Sequence, residues 1–120
     1  MLDKLEKNEE FFGFEDIIFN PILIDNLGEI IKEICEKDIR GTYNIASPEK
    51  CSKLEFGRKI AKIFDLNRDK IKPTSSKVMN FYAKRPKKTD LKIEKIRKMV
   101  DTKILDIEEG LRKFKEKIGD

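Results

Sequence analysis

Two tetrapeptides constrain this chain most: Ser52-Lys53-Leu54-Glu55 and Asp106-Ile107-Glu108-Glu109. In each, an oxygen-bearing side chain stands three residues before a glutamate, so the pair can satisfy two backbone donors at the start of a helix. Apolar residues follow at three- and four-residue spacing. Leu54, Ile60, Ala61, Ile63 and Phe64 are expected to supply the buried face of the first helix, and Ile107, Leu111, Phe114 and Ile118 make the apolar stripe of the second. Asp25 can cap a third helix running through Lys37, with Leu27, Ile30, Ile31, Ile34 and Cys35 as its stripe. A fourth, over about 91–100, turns Leu91, Ile93, Ile96 and Met99 or Val100 inward.

The segments between these helices are too short and too few for an independent doubly wound sheet. The first residues read as a short polar helix followed by a turn at Gly13, and "DIIFNPILI" (16–24) as an extended edge segment that Pro21 excludes from a central strand. After a turn at Gly41, "TYNIAS" (42–47) is a strand candidate, and "KIKP" (70–73) is a brief extended piece. Residues 74–90 form a long loop with little periodicity. The expected fold is a small mixed α/β unit, a single domain over 1–120 with four to five helices and two or three short strands.

The chemistry available to such a unit is limited by what the chain lacks. It contains no histidine and only two cysteines, Cys35 and Cys51, without CxxC spacing, which removes the usual zinc sets and any Ser-His or Cys-His nucleophile pair. Both cysteines are expected to be buried small hydrophobes in a reducing compartment. The six glycines are isolated, so neither a dinucleotide turn nor a phosphate loop is present. Charged residues reach 42% and the two signs interleave along most of the chain, which predicts a solvated surface over a thin core. Apolar runs are too short for a membrane-spanning helix or a signal-peptide core, so a soluble cytoplasmic protein is expected.

One cluster stands apart. In "AKRPKKTDL" (83–91), Lys84, Arg85, Lys87 and Lys88 surround Pro86. Arg85 offers a planar fork of donors suited to two phosphate oxygens, and the lysines raise the local potential. A solvated loop has the same composition. Binding of nucleic acid would need contacts spread over a surface, and Phe81 and Tyr82 are the only nearby aromatics for stacking, so no nucleic-acid partner is expected. On residues alone, the chain is a non-catalytic piece.

The stretches 16–34, 41–66, 71–96 and 106–114 resemble, in order and spacing, the C-terminal portion of the dTDP-4-dehydrorhamnose reductases, which are extended short-chain dehydrogenases. The most specific elements are G-T-Y-N-I-A followed by S-K-L-E-F, and Arg85-Pro86-Lys87-Lys88-Thr89-Asp90-Leu91. The resemblance implies a substrate-binding part that encloses a nucleotide-linked keto sugar beside an NAD(P)H-binding Rossmann domain. The cofactor and the catalytic Tyr-x-x-x-Lys pair would then lie on that other half, with no catalytic residue and no cofactor held by this chain alone. Arg85 is the residue implied to approach the nucleotide diphosphate, with Tyr82 a weaker substrate contact. Ile22 stands where family members often have threonine, and Lys92 where the usual helix cap would be, leaving Thr89 or Asp90 to cap. The expected partners are a nucleotide sugar, and a Rossmann-domain chain or a second copy covering exposed apolar surface. The alternative is a non-enzymatic regulatory subunit, like the one that accompanies methionine adenosyltransferase.

Overall fold

A computed structural model describes residues 1–78 and 83–119. Helix α1 (Leu2–Glu6) leads into strand β1 (Phe11–Phe14), and β2 (Ile18–Phe19) precedes helix α2 (Ile24–Glu36). Strand β3 (Cys51–Ser52) runs directly into helix α3 (Lys53–Ile63), then come β4 (Ile71–Thr74), the short helix α4 (Glu94–Arg97) and helix α5 (Ile107–Lys117). The mixed α/β class is as expected. Among the described residues the strands form two separate pairs, β1 parallel to β4 and β2 antiparallel to β3. A parallel pair needs a long crossover, and here that crossover carries α2 and α3.

Both capping boxes form. The Ser52 hydroxyl accepts from the Glu55 N–H at 3.0 Å while the Glu55 carboxylate accepts from the Ser52 N–H at 3.1 Å, and Asp106 and Glu109 repeat the exchange. The helices thus anchored carry the larger core, in which Leu54 and Ile60 of α3 meet Ile107 and Leu111 of α5, Ile71 of β4 and Leu5 of α1. Strand β1 lies so close to α3 that a Cβ on Gly13 would sit 2.8 Å from the Leu54 Cα. Gly13 is therefore a strand residue needed for close backbone approach, not the turn its isolation suggested.

The second core lies under α2, where Ile30 and Ile96 are fully buried among Ala46, Ile93, Val100 and Ile104. Here the structure corrects several expectations. Helix α2 has Leu23 at its N-cap, with no side-chain cap, while Asp25 sits in the first turn and pairs with Lys117 at 2.9 Å. Its inner face is turned toward Asn26, Ile30, Glu33 and Ile34, leaving Ile31 and Cys35 exposed. The reason is polar: Asn26 donates to the Lys103 carbonyl and accepts from the Leu105 N–H, both at 2.9 Å. The Glu33 carboxylate accepts from the Asp101 and Thr102 N–H groups and the Thr102 hydroxyl, so the 101–105 strap docks through α2's polar side chains.

Residues 42–47 form no strand; Ala46 and Ser47 are buried in irregular backbone, and the strand is Cys51–Ser52 instead. Helix α4 is a single turn that buries Ile96, flanked by buried Ile93 and Val100, with Leu91 and Met99 outward. Its N-cap is Ile93, so neither Thr89 nor Asp90 serves. Their side chains go elsewhere, Thr89 to the Ile18 carbonyl and Asp90 to Lys50.

Candidate functional site

Three consecutive residues, Asp16 and Ile17 after β1 and Ile18 at the start of β2, organise the site. The Asp16 carboxylate accepts from the Ser76 N–H at 2.9 Å, the Ser76 hydroxyl at 2.7 Å and the Ser75 hydroxyl at 3.1 Å. Those donors, Ser76 foremost, hold the Asp16 carboxyl down to about 2. The Ile17 carbonyl accepts from the Lys53 N–H at 3.1 Å. Ile18 donates to the Lys87 carbonyl at 2.7 Å and accepts from the Thr89 N–H at 2.9 Å and its hydroxyl at 3.0 Å. Asp16–Ile18 therefore pins both limbs of the basic loop and the first residue of α3. Beyond it, Asn20 makes two hydrogen bonds with the backbone of Leu91 and one to the Ser47 carbonyl, closing the loop's far end.

The pinned elements meet around a cleft of about 260 Å3. Phe14, Ile17 and Pro86 provide apolar walls, Arg85 and Lys53 contribute two cations, and Thr89 adds a hydroxyl. The Lys53 ammonium lies 3.6 Å from the centroid of the Phe19 ring, and Phe56 meets that ring edge-on at 5.4 Å, fixing its orientation. Such a cleft suits an anion with an apolar neighbour. Among the described residues it holds no nucleophile with a base beside it.

Arg85, the residue that the resemblance implies to approach a diphosphate, is on the lining of this cleft. Tyr82 lies outside the described residues. Lys84, Lys87 and Lys88 are exposed and absent from the cleft lining; Lys87 contributes its backbone carbonyl, not its ammonium. Lys53 was missed by sequence reasoning, since inside a capping box it reads as a surface helix residue. The available signal was its place directly after the capping serine.

An apolar groove of about 200 Å3 lies away from this cleft, between Pro21–Leu23, Phe56 of α3, and Ile107 and Phe114 of α5. Among the described residues no group of His, Cys, Asp or Glu is arranged to hold a metal, and no helix is long and apolar enough to cross a membrane.

Comparison with known proteins places this arrangement. The chain superposes on dTDP-4-dehydrorhamnose reductase from Bacillus anthracis, solved in complex with NADP, at a TM-score of 0.87 and 24% identity, covering 97% of this chain and 41% of that one. The reductase from Clostridium acetobutylicum gives 0.86 at 18% identity, over 99% and 42% of the two chains. A hypothetical dTDP-4-dehydrorhamnose reductase from Sulfolobus tokodaii gives 0.76 at 28% identity, over 90% and 38%. The chain therefore spans about two-fifths of the length of the reductases it matches. No curated protein matches its sequence. A family model, the RmlD substrate binding domain, matches residues 1–119, so that the two cores, the pinned loop and the cleft all fall within it. The chain belongs to the RmlD substrate binding domain family.

Proposed function

We propose that this chain is the nucleotide-sugar-binding part of a dTDP-4-dehydrorhamnose reductase, that Arg85 contacts the diphosphate, and that the chain transfers no hydride alone. The observation that carries the reading is the match of the substrate-binding family to residues 1–119. The cleft supports it: a guanidinium beside apolar walls suits a diphosphate attached to a base and a sugar.

The residues present do not fit a nicotinamide dinucleotide. No glycine-rich turn exists, and at the β3–α3 junction Ser52 and Glu55 already occupy each other's backbone donors. The cofactor that the Bacillus anthracis reductase carries is assigned here to a dinucleotide-binding domain outside these residues. The shape of the molecule favours such a neighbour. A compact chain of this mass exposes about 6,700 Å2, whereas this one exposes 8276 Å2 and measures 46 × 38 × 20 Å. The excess is about twice the ~800 Å2 that one partner contributes to a standard interface, and the apolar groove beside Pro21–Leu23 is part of the surface such a neighbour would cover.

The test is an assay of the purified chain with NADPH and dTDP-4-dehydrorhamnose, alongside calorimetric titration with dTDP. Saturable dTDP binding without NADPH consumption is expected. Robust turnover by the chain alone, or no binding at millimolar dTDP, overturns the reading.

A further inference from the structure

We infer that Lys53 is a second diphosphate-binding residue, acting across the cleft from the basic loop. The inference rests on the nucleotide-sugar reading for the identity of the ligand, but its geometry is independent of any family motif.

Several lysines on this surface are neutralised by a carboxylate: Lys37 by Glu33 and Asp101, Lys59 by Glu49 and Glu108, Lys103 by Glu109, Lys117 by Asp25. Lys95 and Lys115 lie over Tyr43 and Phe64 but donate to the Thr42 and Ile63 carbonyls. Lys53 combines an aromatic seat with a place on the cleft lining. It is half-buried, and among the described residues its ammonium is in no ion pair; it rests on the face of Phe19. An aromatic face attracts the cation without cancelling its charge or occupying its N–H donors as a carboxylate would. The ammonium is therefore positioned and still able to bind an anion.

Its position is set by backbone as well. The Lys53 N–H donates to the Ile17 carbonyl, one residue from the Asp16 and Ile18 contacts that pin the loop carrying Arg85. Lys53 and Arg85 line the same 260 Å3 cleft, approached from α3 on one side and from the loop on the other. Two cations on the lining of one cleft offer donors to two linked phosphates. The apolar walls leave room beside the phosphates for a less polar group, which is the chemistry of a nucleoside diphosphate.

The experiment titrates the whole chain with dTDP and, separately, with inorganic pyrophosphate, using calorimetry. The variants are Lys53→Met, Lys53→Arg, Arg85→Gln and the remote Lys113→Met, each checked by circular dichroism and thermal melting. Loss of one charge-assisted contact predicts dTDP affinity about ten- to a hundredfold weaker in Lys53→Met. Lys53→Arg, which keeps both the charge and the aromatic contact, should restore most of it, and Lys113→Met should bind as the native chain does. Rescue by arginine separates a binding role from a merely structural one.

If Arg85→Gln loses dTDP and a folded Lys53→Met does not, the Lys53 role is overturned while the nucleotide-sugar reading stands. If the chain binds pyrophosphate through Lys53 but shows no preference for dTDP, the anion site stands and the nucleotide-sugar reading falls. Binding of neither probe overturns both.

Discussion

Replacing Asn26 by alanine should destabilise the chain more than any exposed polar substitution. Asn26 is 2% exposed and joins α2 to the strap leading into α5, donating to the Lys103 carbonyl and accepting from the Leu105 N–H. Alanine removes both hydrogen bonds. The Lys103 residue is exposed, so water can replace its lost donor, a change of about 0.5–1.5 kcal/mol. The Leu105 N–H belongs to a buried residue and is left without an acceptor, costing about 1–3 kcal/mol. Together these give about 2–4 kcal/mol, or a fall in melting temperature of about 6–20 °C for a domain of this size. Circular dichroism melts of the native and variant chains measure it.

Asn26→Asp sharpens the test. Its carboxylate still accepts from Leu105 but faces the Lys103 carbonyl with no donor, so burial and repulsion raise its folded pKa above the unfolded value. The variant's deficit should therefore be smallest below the unfolded aspartate pKa and should grow as pH rises through the folded one. An Asn26→Ala chain melting within about 2 °C of the native one would refute the reasoning.

Gly13→Ala should destabilise by about 1–3 kcal/mol in chemical denaturation, because its Cβ would meet the Leu54 backbone at 2.8 Å and force α3 away from β1; a neutral result would contradict that packing. The carboxyls of Asp16 and Glu33 are both held down to about 2 by the hydrogen bonds they accept. Their contribution is present above the ordinary carboxylate range and is lost as pH falls toward 2, so an acid titration of Asp16→Asn or Glu33→Gln should show a shallower pH dependence than the native chain. Thiol labelling should be biphasic at pH 8: Cys35 is exposed and reacts first, whereas burial pushes Cys51 up to about 11 and protects it in the folded chain.

The features legible in the sequence were those with local causes. Ser52-Glu55 and Asp106-Glu109 satisfy backbone donors within one helical turn, so those helix starts follow from four residues each. The face of α2 was not legible. Ile31 and Cys35 look as buriable as Ile30, and only contacts 68 to 79 residues away make Asn26 and Glu33 inward groups. The strands were legible only in part: β2 falls in the extended segment 16–24 and β4 overlaps the extended piece 70–73, but β1 and β3 were not read, and residues 42–47 have strand-like composition but no partner strand among the described residues. At the site, the Arg85-Pro86 motif marked one wall. Lys53 became visible only when the structure put it on the lining of the same cleft, with its N–H on the Ile17 carbonyl and its ammonium over the Phe19 ring.

The most direct measurement is calorimetric titration of dTDP into the native chain and into Arg85→Gln at one fixed, moderate salt concentration. A nucleotide-sugar-binding domain predicts saturable binding of one dTDP per chain, weakened about tenfold or more in a variant whose circular dichroism is unchanged. Absence of binding, or equal affinity in the two chains, would contradict the account.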